Sequence, residues 1–244
     1  MTPHFEQDIS EPELSAVIDL SYRHRPVLIA FGGIAGALVI PPYEFFNLTR
    51  DLDINKIYLR DLSQTWYHSG LPGISRNIEE TASFLKRQVT VASTGKVVLV
   101  GNSMGGYAAI LFGILLEANI VHAFSPHTFI GSSKYIRSKN RIQYVHAKFS
   151  RRYFDLGRVM RLHSNTVRVN VYYDPADKLD KSHAFHLKGS TSVTLFPLHG
   201  AGHSLVKALR DSGQLRDILV SSVKYANDGH ATAKVASIGR TSPP

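Results

Sequence analysis

The 244-residue chain contains no cysteine, which removes disulfides, thiolate nucleophiles and cysteine-based zinc sites from consideration. It also lacks an apolar run long enough to cross a bilayer. The two longest, Val27 to Ile40 and Tyr107 to Leu116, fall short of the roughly 18 residues required, and the first is rich in glycine. Both read as buried elements, with no membrane span. The opening "MTPHFEQDISEPELS" is acidic and polar where a secretory signal would be basic and then apolar, so a cytoplasmic location is the expectation. Tryptophan occurs once, at Trp66.

Acidic residues are scarce in one place above all. Between Lys134 and Arg161 nine Lys or Arg face a single acid, Asp155, a local surplus of about eight that accounts for nearly all of the formal charge of +9. The remainder of the chain is close to neutral. An apolar share of 43% supplies a core for one large domain or two small ones and excludes disorder throughout.

Six short apolar runs recur, beginning at Pro26, Lys56, Lys96, Ile120, Val167 and Ser192. Most are continuously apolar, the pattern of strands buried on both faces. Helical spacing lies between them, most clearly in "NIEETASFLKRQV", where Asn77 and Glu80 form a capping-box pattern. Strands alternating with helices predict an α/β fold: a mostly parallel sheet of about six strands with helices on both faces. The alternation lapses between Pro126 and Thr166, so an inserted lid is expected over residues 127–166. The domain is expected over 26–225, after an N-terminal segment 1–25 and before a flexible tail 226–244.

In "KVVLVGNSMGGYAAILFG" a strand pattern meets a helix pattern at Ser103, flanked by Gly101 and Gly105. The motif alone is short enough to arise by chance. Its position carries the meaning, because so sharp a strand-to-helix turn needs glycine-sized neighbours and leaves the serine hydroxyl exposed as a nucleophile. The alternative is a small residue in a tight turn. A dinucleotide fingerprint in "AFGGIAG" is excluded, since its first glycine would have to be Phe31 and Pro41-Pro42 would interrupt the helix that must follow.

With Gly101-Asn102-Ser103-Met104-Gly105 and the chain order Ser, acid, His, the sequence resembles the α/β-hydrolase superfamily over most of residues 26–210. The resemblance implies a Ser-His-Asp triad and an oxyanion hole. Of twelve histidines, His203 in "PLHGAGHSLVKAL" follows the last expected strand at the mouth of a helix; His199 is its competitor. For the acid, "VYYDPADKLDKSHA" offers Asp177, with the best spacing, then Asp180, which reads equally as a helix N-cap, and Asp174, which reads as a turn former. The implied oxyanion donors are the backbone N–H of Met104 and one from the loop after an earlier strand, at Gly33 or Ile34. Trp66 and Tyr67 are candidate walls of the acyl pocket, with a core role as the alternative.

The expected activity is cleavage of an ester or thioester through an acyl-enzyme, with no metal and no organic cofactor. The substrate would be a small-molecule or carrier-bound acyl group, an anionic one if Arg151, Arg152 and the surrounding basic segment cover the site. An acyltransferase on the same fold is the alternative. A second class is a non-catalytic basic binding protein, because aromatic residues interleave the basic ones as in single-strand binders. No nucleic-acid-binding motif accompanies them, and nucleic acid is set aside as a partner.

Overall fold

A computed structural model describes residues 11, 13–33, 43–93, 95–130, 150–163, 167–200 and 202–228. All six expected strands form: β2 (Val27–Phe31), β3 (Asn55–Leu59), β4 (Val97–Asn102), β5 (Ile120–Phe124), β6 (Arg168–Tyr173) and β7 (Val193–Pro197). A seventh, β1 (Ala16–Asp19), falls in the segment set outside the domain. The sheet order is β1-β3-β2-β4-β5-β6-β7. Every pair is parallel except β1 with β3, which is antiparallel.

Continuous apolarity in the central strands has a direct cause. Val27, Ile29 and Phe31 pack into one core on one face of the sheet, while Leu28 and Ala30 pack into a second core on the other. Side chains alternate between faces with period two, and both faces are covered. The first face carries α2 (Ile78–Val91), α3 (Met104–Leu115) and α4 (Leu156–Leu162); the second carries α1 (Phe46–Thr49), α6 (Leu205–Asp211) and α7 (Gln214–Asp228). One further helix, α5 (Lys178–His186), follows β6. Eleven of the twelve residues of α3 are buried, which is why its sequence is apolar all round. At the start of α2, Asn77 Oδ1 accepts from the Glu80 N–H at 2.7 Å. The Glu80 carboxylate reaches back to the Arg76 N–H at 2.9 Å, one residue beyond the reciprocal bond of a capping box.

At the sheet edge, Lys56 on β3 lies opposite Asp19 on β1. Lys56 Nζ stands 3.6 Å from Asp19 Oδ2, with both side chains fully shielded from water, and the ammonium also lies 5.0 Å from the Tyr22 ring centre.

Residues 131–149, the middle of the expected lid, lie outside the described residues, as do 229–244 of the expected tail. The described ends of the insertion belong to the body of the domain. Phe129 and Asp155 form a β-bridge, Tyr153 is buried, and Leu156 and Val159 of α4 enter the first core. Residues 226–228 close α7.

Candidate active site

In a parallel sheet the loops at strand C-terminal ends converge on one edge, and here they gather the polar residues of interest. Ser103 stands between β4 and α3 with φ 54° and ψ −115°, a conformation that a non-glycine residue occupies only under constraint from its surroundings. The constraint is visible at its neighbours. A Cβ on Gly101 would run into the Gly105 carbonyl, and one on Gly105 into the Phe31 carbonyl; only glycine lets β4, α3 and β2 approach this closely. The Ser103 N–H donates to Phe124 O at 2.9 Å, and its carbonyl accepts from the His127 N–H at 3.2 Å. Met104 opens α3, so its N–H is among those a helix leaves without an intrahelical acceptor.

His203, after β7, directs Nδ1 to Asp180 Oδ1 at 2.9 Å. The carboxylate can only accept, so Nδ1 carries the proton and Nε2 is left with its lone pair. Asp180 raises the His203 pKa above the ordinary imidazole value, outweighing the effect of burial. Burial pushes the Asp180 carboxyl up, but the His203 bond and the facing Ser125 hydroxyl more than offset it and hold Asp180 below its usual range.

The other two aspartates have different occupations. Asp177 is the N-cap of α5, its Oδ1 accepting from the N–H groups of Leu179 at 2.9 Å and Asp180 at 3.0 Å. Its better spacing from β6 therefore corresponds to a capping role. Asp174, fully buried, accepts from the Gly200 N–H at 2.9 Å and the Gly202 N–H at 2.8 Å, and so ties down the loop that delivers His203. His199 is exposed near the start of that loop.

Three residues that the sequence did not single out connect these groups. The His127 ring stacks on His203 with centroids 6.4 Å apart and lies 5.2 Å from that of His183, joining the elbow to the His203–Asp180 pair. Its Nδ1 accepts from Trp66 Nε1 at 3.1 Å, which fixes the proton on Nε2, and burial keeps the ring neutral by pushing its pKa down to about 3. His183 Nδ1 accepts from the Thr128 N–H at 3.1 Å and is held neutral by burial, at about 4. Ser125 completes the set beside Asp180.

Trp66 thus faces the site, while Tyr67 turns inward. Tyr67 is completely buried, packs edge-on to Phe31 at 5.5 Å, and donates its hydroxyl to Gly32 O at 3.0 Å. It braces the glycine loop from below and does not wall a pocket. Both residues have positive φ, 52° and 63°, in a turn held by Asp61, whose carboxylate accepts from the N–H groups of Ser63, Thr65 and Tyr67 at 2.6 to 3.0 Å.

The Gly33 N–H donates to Glu44 Oε2 at 3.0 Å; Ile34 lies outside the described residues. Arg151 and Arg152, both exposed, begin a 3-10 turn that ends at buried Tyr153, with Arg152 lying 5.4 Å over the Tyr153 ring. Neither arginine is bonded to Ser103 or His203. Among the described residues, no group of three or more His, Asp or Glu is placed to hold a metal ion, and no helix is long and apolar enough to cross a membrane.

No family model and no curated protein sequence matches the chain. Solved structures do match it. The capsule O-acetyltransferase of Neisseria meningitidis serogroup A is similar with a TM-score of 0.60 at 14% identity, over 86% of this chain and 90% of that one. An esterase from Thermogutta terrifontis is similar with a TM-score of 0.58 at 12% identity, over 91% and 90% of the two chains. Acetyl xylan esterase 1 from Thermoanaerobacterium follows with a TM-score of 0.51 at 12% identity, over 86% and 78%. At these identities the likeness is one of fold, and the fold is that of the α/β-hydrolases.

Proposed function

We propose that this α/β-hydrolase-fold protein is a serine enzyme of ester cleavage or acyl transfer, working through an acyl-enzyme on Ser103. The observation that carries the reading is the pairing of His203 with a buried, ionised Asp180 on the same sheet edge as the strained Ser103 elbow. A serine hydroxyl is a weak nucleophile until an imidazole takes its proton. Ser103 Oγ attacks the carbonyl carbon as His203 Nε2 accepts that proton, and the carbonyl oxygen becomes an oxyanion facing the Met104 N–H. Collapse breaks the ester bond, with the proton passing from His203 to the departing alcohol. A water or an acceptor hydroxyl then repeats the sequence on the acyl-serine, and Asp180 stabilises the imidazolium in both halves. Trp66 and His127 border the acyl group. Similarity in fold to esterases and to an O-acetyltransferase supports acyl chemistry of this kind.

A fluorophosphonate probe should label the wild-type protein, and Ser103→Ala should abolish labelling while keeping the wild-type melting temperature. Equal labelling of the two would overturn the assignment.

The basic surplus favours an anionic or carrier-bound acyl substrate within this reading, because charge near a cleft raises association rates tenfold or more and is screened beyond about 8 Å at physiological salt. Accordingly kcat/KM for an anionic acyl thioester should fall with ionic strength, that for a neutral ester should not, and Arg151→Ser with Arg152→Ser should flatten the first dependence. Identical salt profiles for both substrates would refute it.

A further inference from the structure

Glu44 stands at the glycine loop, and the acyl-transfer steps above leave it without a role. Its Oε2 accepts from the Gly33 N–H at 3.0 Å. A Cβ built on Gly33 would lie 3.7 and 3.9 Å from the two carboxyl oxygens and 3.1 Å from the Asn102 carbonyl. The carboxyl, the glycine loop and the residue before Ser103 therefore form one cluster. Among the described residues the groups acting on Glu44 are the Gly33 amide and the Asn102 side chain, with no cation; Tyr67 beneath the loop feels the Glu44 charge and is tied to Gly32 O. Burial lifts the carboxyl to about 7 against the pull of the Gly33 and Asn102 contacts. Among the described residues Asn102 Oδ1 has no hydrogen-bond donor; a half-turn of its amide, which donates to the Glu44 carboxylate, would let a proton on Glu44 supply one.

We propose that Glu44 is part of the oxyanion site: its carboxylate occupies the Gly33 N–H in the resting protein, and acyl transfer proceeds with Glu44 neutral, its proton turned to Asn102 Oδ1 and the Gly33 N–H released to the substrate carbonyl oxygen. The inference rests on the Ser103 acyl-enzyme reading. Two physical terms support it. A hydrogen bond to a carboxylate is about twice as strong as one to a neutral oxygen, so ionised Glu44 holds the amide against an incoming carbonyl. An oxyanion forming beside that carboxylate would also place two like charges together. Neutral Glu44 removes both obstacles.

The test is the pH dependence of ester kcat/KM and of fluorophosphonate labelling rate for wild type and Glu44→Gln. In the wild type both should rise as His203 loses its proton and then fall about tenfold per pH unit above the Glu44 pKa, to a floor roughly 10²- to 10³-fold lower, the usual effect of one oxyanion donor. Glu44→Gln should keep the rise and lose the fall, and Glu44→Met, which has no charge and similar length, should do the same. An alkaline fall that persists in both variants overturns the proposal.

Melting temperature supplies a readout independent of turnover. The folded-state pKa of Glu44 is raised above its unfolded value, so its stabilising contribution is complete below the ordinary glutamate value of 4.5 and is lost as pH rises through about 7. The melting temperature of Glu44→Gln minus that of wild type should therefore widen from pH 5 to pH 8. A constant difference overturns the titration at this site. Labelling that survives Ser103→Ala would overturn the acyl-enzyme reading and this proposal together, whereas a failure confined to the Glu44 variants leaves Ser103 in place.

Discussion

Asp180→Asn is expected to lower kcat by about 10⁴-fold, the loss typical when the group orienting a catalytic histidine becomes an amide, while Asp177→Asn leaves kcat close to wild type. The two residues lie three positions apart, and burial separates them. Asp180 presents an oxygen to His203 Nδ1 at 2.9 Å from a side chain only 2% exposed, so an amide there would donate to Nδ1 and hold the imidazole in the tautomer with its proton on Nε2, unable to accept from Ser103. Asp177 spends its carboxylate on two backbone N–H groups of α5, a task asparagine performs as well. Asp177→Ala, by contrast, should cost about 1 kcal/mol of stability through the lost cap. Steady-state kinetics with a chromogenic ester, alongside thermal unfolding, checks both halves. An inactive Asp177→Asn beside an active Asp180→Asn would exchange the assignments.

His203→Ala should be the more severe lesion, removing about 10⁶-fold of kcat as loss of the base does in serine hydrolases, and His199→Ala should be silent. The acidic limb of kcat/KM carries the signature of the pair. His203 acts as base only when neutral, and Asp180 raises its pKa, so activity should climb with pH through a midpoint above the ordinary imidazole value of about 6.5. A midpoint at or below that value, or a His199→Ala variant that loses the limb, would refute the role given to His203.

The sequence displayed the strands because they are buried on both faces, and it displayed Ser103 because two neighbouring glycines are sterically obligatory. It hid β1, whose four residues include Asp19 and alternate in burial, giving no continuous run to notice. The acid illustrates a different limit. In "DPADKLD" every aspartate is chemically able to serve, and distance from the strand favoured Asp177. A usable signal was nevertheless present: Leu187, Ala184, His183 and Asp180 recur at helical spacing, and all four are buried, so the inner stripe of α5 carries Asp180 toward the site while Asp177 sits at the helix start. Glu44 and His127 left no such trace. Their importance comes from what β2 and β5 bring beside them, and no local pattern records contacts made across a sheet.

The buried Lys56–Asp19 pair has a consequence for strand alignment. Without β1, β3 would present its unpaired N–H and C=O groups as a sticky border on which another chain could stack. A strand of four residues is a weak cover by itself. Its alignment is pinned because Asp19 sits opposite Lys56 and a slip by one residue would turn the carboxylate to the other face, stranding the ammonium without its adjacent counter-charge. The ion pair thus acts as a latch on alignment: its value lies less in folding energy than in holding the short edge strand β1 in one register on β3.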